Sequence, residues 1–240
     1  MKTLVVIPAR YGSTRFPGKP LAQILGKSLV QRVYEQCLLL NDVTVVIATD
    51  DTRIVNHCKS IDAASVMTSL EHQSGTNRVA EVAAHSAYID CDFIINVQGD
   101  EPCILPEQIK AVIDLLKNGA TIATLKKAIT ATVAENPNVV KVVTNNHGRS
   151  LYFSRACIPF QRNQSIVPVY FKHIGIYGFA RKTLLEVAQL PMGLYENMEQ
   201  LEQLRWLENG FEIACATTAF ESPAVDVPED IQKVEAFLKQ

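Results

Sequence analysis

Val5–Pro20 reads VVIPARYGSTRFPGKP, an apolar run that breaks at Pro8 into a loop carrying Arg10, Arg15 and Lys19, with Gly12 and Gly18 between them. A β-branched run stopped by a proline is what a strand buried in a parallel sheet looks like. Working outward, VTVVIATDD (43–51) and DFIINVQGDEP (92–102) repeat the pattern, each an apolar strand ending in acids. Between and after them lie segments of helical spacing: SLVQRVYEQCLLL, DTRIVNHCKS, SGTNRVAEVAAHSA and ILPEQIKAVIDLLKNG. In the first, Leu29, Val30, Val33, Tyr34, Cys37 and Leu38 fall on one face. Asp51 or Thr52 is placed to cap the second helix, Ser74 and Gly75 open the third, and Pro106 and Gly119 mark the ends of the fourth. Alternating strands and helices predict a parallel sheet covered by helices on both faces. In such sheets ligands sit beyond the carboxyl ends of the strands, which is where IPAR, IATDD and VQGDEP fall.

The second half is less regular. VVKVV, SLYFSRA, HIGIYGFA and EIACATTAF read as strands, ENMEQLEQLRWLEN as one helix, and a final helix starts from Pro228. No repeat or linker interrupts the chain, so residues 1–240 are expected to form a single domain, with a candidate lobe from about 130 to 190. A net charge of −2 excludes the broad basic field of a general nucleic-acid binder. No uncharged apolar run reaches the ~18 residues of a membrane span, and MKTLVVIPAR lacks the apolar core of a secretory signal. The expected compartment is the cytoplasm, and the six cysteines, with no CxxC spacing, are expected to be free thiols.

Because overall charge cannot attract an anion, the cations of the first loop must do so locally. Glycines let backbone N–H groups approach an anion, and Arg and Lys supply the charge a triphosphate demands. The loop is neither GxxxxGK[ST] nor GxGxxG. Asp100, an acid beside a glycine at a strand's carboxyl end, suits a hard cation such as Mg2+, with Asp226 as its partner. Taken alone, Asp226 also reads as a helix cap before Pro228, and Asp50 as a turn acid.

PARYGSTRFPGKPL, ATDD, HQSGTNR, NVQGDEP, LYFSRACIPF, KHIGIYGF, LEQLRWLENG and VDVPEDIQKVE follow one another in this order over nearly the whole chain. Together they resemble the 3-deoxy-manno-octulosonate (Kdo) cytidylyltransferases, which serve lipopolysaccharide assembly. The first block and QGDEP are shared with other sugar cytidylyltransferases, whereas HQSGTNR, LYFSRA, KHIGIYG and LEQLR point to Kdo. The resemblance implies a Rossmann-like three-layer α/β/α fold of the nucleotide-diphospho-sugar transferase type, with a mostly parallel mixed sheet and a small dimerisation lobe. It implies CMP transfer from CTP to the anomeric hydroxyl of Kdo, Mg2+ as cofactor and a homodimer. By position, Arg10, Ser13, Arg15 and Lys19 would hold the CTP phosphates. Ala9, Ala48, Thr49, Asp50, Ser74 and Gly75 would surround cytosine and ribose, with Arg78 near nucleotide and sugar. Asp100 and Asp226 would hold Mg2+, and Arg10, Lys19, Asp100 and Asp226 would form the catalytic set. Gln98, Arg155, His173, Tyr177, Glu202 and Gln203 would contact the sugar acid.

Four of the sugar-pocket residues have a plainer reading: His173 and Tyr177 as core packing, Glu202 and Gln203 as the solvated face of a helix whose Leu201, Leu204 and Leu207 face the core. His72 and the cysteines are read as non-catalytic. Two departures from the family pattern stand out: AVDVPED replaces the usual GVDTPED, and IPFQRNQSIVPVYFKH is shorter than in many relatives. The latter borders the sugar pocket, so 8-amino-Kdo stands as an alternative substrate, followed by another sugar acid such as an acylneuraminate. From a different class, a non-catalytic nucleotide-binding module is the rival, and mutation of Asp100 separates the two.

Overall fold

The computed structural model of the chain describes residues 1–72 and 74–239. Gln73, within the HQSGTNR segment, therefore lies outside the described residues. The first half runs β1 (Thr3–Pro8), β2 (Gln23–Ile24), β3 (Lys27–Ser28), α1 (Leu29–Leu38), β4 (Val43–Thr49), α2 (Thr52–Ser60), β5 (Ser65–Met67), α3 (Gly75–Ala84), β6 (Phe93–Asn96) and α4 (Pro106–Lys117). The second runs β7 (Ile122–Ile129), α5 (Ala131–Ala134), β8 (Lys141–Thr144), β9 (Ser150–Ser154), β10 (Tyr170–Ala180), α6 (Arg181–Val187), α7 (Leu194–Glu199), α8 (Gln203–Glu208), β11 (Ala214–Thr217) and α9 (Asp230–Leu238).

The main sheet has the order β11-β7-β10-β6-β1-β4-β5. β5, β4, β1 and β6 are parallel, as are β7 and β11, and β10 runs antiparallel between β6 and β7. β8 joins β10 and β9 at one side, and β9 pairs with β8. The expected α/β/α architecture with a mostly parallel mixed sheet is thus present. β1 shows why: Val5 and Ile7 belong to one core layer, Leu4 and Val6 to the other, and all four are fully buried. A strand apolar on both faces needs helices on both. α1, α2, α4 and α9 cover the first face, and α3, α6 and α8 the second. Leu29, Val30, Val33, Tyr34 and Cys37 are the buried stripe of α1, and each of its leucine and valine side chains contributes roughly 1.5–3 kcal/mol.

The caps follow the sequence. Asp51 accepts from the Arg53 N–H at the start of α2, Ser74 from the Asn77 N–H at the start of α3, and Gly119, at φ 93°, ends α4 in a conformation that other residues rarely adopt. One expectation is corrected. ENMEQLEQLRWLEN is two short helices, because Gln200 enters the left-handed region at φ 53° and ends α7. The break lets Leu201 drop into the core and leaves Glu202 at the start of α8 rather than on a solvated helix face. β7, which the sequence pattern does not mark, completes the sheet. No helix among the described residues is long and apolar enough to cross a membrane.

Candidate active site

Strand order reverses at β1: β4 and β5 lie on one side of it and β6 on the other. The crevice outside the carboxyl ends at such a switch point is where open α/β sheets bind ligands. Here a cleft of about 230 Å³ opens, lined by the loop after β1, the start of α3, the end of β6 and Asp226. Two glycines allow the approach. A Cβ on Gly99 would sit 2.6 Å from the Pro8 carbonyl oxygen, so only glycine lets the ends of β6 and β1 meet. Gly18, at φ 73°, turns the basic loop back over the Tyr11 ring.

Of the residues expected around the nucleotide, Ala9, Arg10, Ser13, Arg15, Lys19, Ser74, Gly75 and Arg78 line the cleft, together with Gln98, Asp100 and Asp226. Ala48, Thr49 and Asp50 lie just behind it. The Ala48 carbonyl accepts from the Ala9 N–H at 2.8 Å, and Asp50 accepts from Arg78 at 2.6 Å. That second bond changes the reading of both residues. Arg78 is almost fully buried and donates also to Thr68 and to the Ser69 carbonyl, so its charge is spent on Asp50 inside the protein. Asp50 is no turn acid; Asp51 does the capping. Among the described residues, Arg10 is the cleft cation with no carboxylate partner.

Asp226 is not the cap of the last helix either. Its backbone N–H donates to Asp230, freeing its carboxylate for Arg15 at 3.2 Å. Lys19 is the hub. Its Nζ donates to Asp100 Oδ2 at 2.7 Å and to the Val225 carbonyl at 2.9 Å, and stands 4.0 Å from Asp226 Oδ1. The Val225 N–H donates to the Asp100 carbonyl at 2.9 Å, which ties the two acid-bearing segments together. Next to Asp100, Glu101 is buried with one carboxylate oxygen unpartnered, and burial, with the Asp100 charge added, pushes its pKa up to about 8. Sequence reasoning set His72 aside, yet it lines the cleft, paired with Glu81.

The residues expected around the sugar form a second group, joined to the cleft through Gln98, whose amide reaches Asn96, which in turn pairs in register with Tyr177 of β10. β10 bulges between Ile174 and Tyr177. In a regular strand the backbones of His173 and Tyr177 would be about 13 Å apart; here the bulge sets them opposite Lys126 and Thr124, only two residues apart on β7, and their rings lie 5.2 Å apart. Thr124 gives its hydroxyl proton to the Ile176 carbonyl at 2.8 Å and therefore accepts from His173 Nε2 at 2.9 Å. Burial drops the His173 pKa to about 3, so the ring is neutral, and with Nε2 donating to Thr124 its Nδ1 is the acceptor nitrogen. The Tyr177 hydroxyl is fully buried without a partner among the described residues, its pKa raised by burial and by Glu202. Glu202 accepts from the Thr76 hydroxyl at 2.6 Å, linking α8 to α3. Gln203 is buried on the first turn of α8. Arg155 stands apart from this group: its guanidinium donates to the Glu199 and Pro137 carbonyls at 2.8 and 3.2 Å.

A cytidylyltransferase family model matches residues 4–213. The chain belongs to this family. It is 46% identical over all of its length, and 99% of the relative's, to a 3-deoxy-manno-octulosonate cytidylyltransferase of Bacteroides thetaiotaomicron. It is 48% identical, over 99% of the chain and 95% of the relative, to the same enzyme of Solibacter usitatus. It is 46% identical, with 99% of both covered, to an 8-amino-3,8-dideoxy-manno-octulosonate cytidylyltransferase of Shewanella halifaxensis. Among solved structures, a CMP:2-keto-3-deoxy-manno-octonic acid synthetase complexed with CTP superimposes with a TM-score of 0.95 at 41% identity, covering 100% of this chain and 99% of that one. The family expected from the sequence motifs is therefore the one the chain belongs to.

Proposed function

We infer that the chain transfers CMP from CTP to the anomeric hydroxyl of Kdo, releasing pyrophosphate. The observation that carries this reading is the joining of two unlike sites across Gln98: a cationic cleft at the sheet's switch point and a polar, partly buried cluster on β10. Full-length similarity to relatives that bear the Kdo enzyme's name supports the same assignment.

In this reading Arg10, Ser13, Arg15 and Lys19 take the triphosphate, helped by the N–H groups at the start of α3. Ala9, Ala48, Thr49, Asp50, Ser74 and Gly75 enclose cytosine and ribose, and the Arg78–Asp50 pair acts as a strut that fixes this wall. The sugar acid lies over β10. His173 Nδ1 accepts from one of its hydroxyls, while Tyr177, Glu202, Gln203 and Gln98 serve the others. Arg155 would have to leave its two carbonyl partners to meet the carboxylate. The new P–O bond forms from the anomeric oxygen to the α-phosphorus as the bond to the leaving pyrophosphate breaks in line. Positioning and neutralisation of charge supply most of the acceleration.

Asp100 and Asp226 suit Mg2+, which needs only one or two carboxylates when phosphate and water complete its shell. The Lys19 ammonium already held between them supports that fit. When bound, Mg2+ would polarise the phosphoryl oxygens and lower the pKa of the attacking hydroxyl. We propose further a homodimer formed through the lobe about 130–190, where Phe160, Ile166, Val167 and Val169 are exposed apolar side chains, and a cytoplasmic role in lipopolysaccharide assembly. Light scattering in solution tests the dimer.

The deciding assay is pyrophosphate release with CTP and Mg2+, comparing Kdo, 8-amino-Kdo and N-acetylneuraminate. Turnover with Kdo is expected. Turnover with 8-amino-Kdo alone would move the assignment to the reaction named for the Shewanella relatives. CTP binding without turnover on any acid would favour a binding module, and Asp100→Asn should abolish turnover while sparing most of the CTP affinity.

A further inference from the structure

Lys19 is held more firmly than a phosphate ligand requires. Its side chain is 13% exposed, against 67% for Arg15, and its ammonium has two short anchors, Asp100 Oδ2 and the Val225 carbonyl. It occupies the space between the two carboxylates assigned to the metal, 2.7 Å from one and 4.0 Å from the other. A divalent cation bound between the two carboxylates would take the place the ammonium now fills, and the two positive charges would repel at that range. Nor does the pair of acids depend on Lys19 for its placement: the bond from the Val225 N–H to the Asp100 carbonyl holds their segments together when the ammonium leaves.

We propose that Lys19 is the resident counter-cation of the Asp100–Asp226 pair, and that a divalent cation displaces it and so turns its ammonium toward the triphosphate. This rests on the reading that Asp100 and Asp226 hold the metal. One group then serves two states. Without metal it offsets, together with Arg15 on Asp226 Oδ1, the repulsion between two nearby carboxylates; with metal it becomes free charge in a cleft whose other buried cation, Arg78, is committed to Asp50. Metal and nucleotide would favour each other's binding, since the metal releases the lysine that the triphosphate needs and the triphosphate gives it a new partner.

The test is Mn2+ binding to nucleotide-free protein, followed by electron paramagnetic resonance of the free ion, so no turnover is read. Wild type is compared with Lys19→Met, Arg10→Met and Asp100→Asn, each checked for folding by circular dichroism. Lys19→Gln stands in should Lys19→Met fail to fold. Arg10→Met removes the same charge from the same cleft without removing a contact to a carboxylate. Lys19→Met is expected to bind Mn2+ roughly tenfold or more tightly than wild type, because a charge-assisted hydrogen bond no longer has to be broken. Arg10→Met should gain far less. Equal gains in the two variants, or none in either, would overturn the exchange while leaving the metal site standing. If Asp100→Asn binds Mn2+ as wild type does, the metal assignment itself fails, and the exchange with it.

Discussion

Replacing Gly99 by alanine tests the packing that sets the site. The added Cβ would meet the Pro8 carbonyl oxygen at 2.6 Å, and neither group is a flexible side chain that could move aside. Ordinary van der Waals contact begins near 3.4 Å, so the ends of β6 and β1 must separate by about 0.8 Å. Asp100 is the next residue. A shift of that size would carry its carboxylate away from Asp226, and its carbonyl away from the Val225 N–H that it holds at 2.9 Å. Overpacking of this kind costs ~1–3 kcal/mol, which a domain with ~5–15 kcal/mol of stability survives. Geometry suffers more, since a misplacement near 1 Å at a reacting centre costs about 100-fold. Gly99→Ala should therefore stay folded by circular dichroism yet lose about tenfold to 100-fold in kcat/KM for CTP. Wild-type kcat/KM would refute the reasoning, even with a lowered Tm, because the strand ends would then not control the site.

Three further outcomes are expected. Burial holds the His173 pKa at about 3 in the folded chain against 6.5 when unfolded, so below pH 6.5 only the unfolded state gains the proton. Stability should fall by ~1.4 kcal/mol per pH unit between those values. Urea unfolding of His173→Gln across that window should lose this slope, and an unchanged slope would count against the neutral ring. Trp206, the sole tryptophan, lies 5.0 Å from the Tyr177 ring. Its emission should shift when the sugar acid binds, and a silent tryptophan during productive binding would place the sugar elsewhere. Arg205 makes two bonds to Glu196, at 2.7 and 2.6 Å, with both side chains buried. Glu196→Ala strands that buried guanidinium and should cost ~3–5 kcal/mol in urea unfolding; a loss under ~1 kcal/mol would show the pair is dispensable.

What the sequence showed and what it hid divide along a physical line. β1, β4 and β6 were legible because each is an apolar run with polar punctuation at its carboxyl end, and the cleft residues are that punctuation. β7 was not, since its outer half carries Lys126 and Lys127. Each lysine is accommodated by partners remote in sequence: Lys126 lies over the Phe171 ring and Lys127 pairs with Glu221. The same holds for the split between α7 and α8. Helical propensity favours continuing through Gln200, but Ser154 and the Arg155 backbone take the Glu199 carboxylate, and Arg155 Nε takes its carbonyl. Arg78 showed the limit in the site itself, because a cation beside a cleft and a cation spent on Asp50 have the same sequence signature.

The bulge in β10 is where hidden geometry makes the chemistry. Opposite β7, Ile174 pairs with Leu125 and Tyr177 with Thr124, so three steps on one strand match a single step on the other. The surplus, Gly175 and Ile176, is accommodated beside the cleft, with a Cβ at Gly175 falling 3.0 Å from Glu101 Oε1. This compression draws His173 toward Tyr177, and it turns the Ile174 and Ile176 carbonyls onto the one Thr124 hydroxyl that orients the imidazole. Since strand parity keeps alternate side chains on one face, His173 and Tyr177 would share that face without a bulge, but too far apart to act on one small ligand. A polar pair spaced four residues apart therefore signals a binding surface only when the strand shortens between them, and no pattern of hydrophobicity records that shortening.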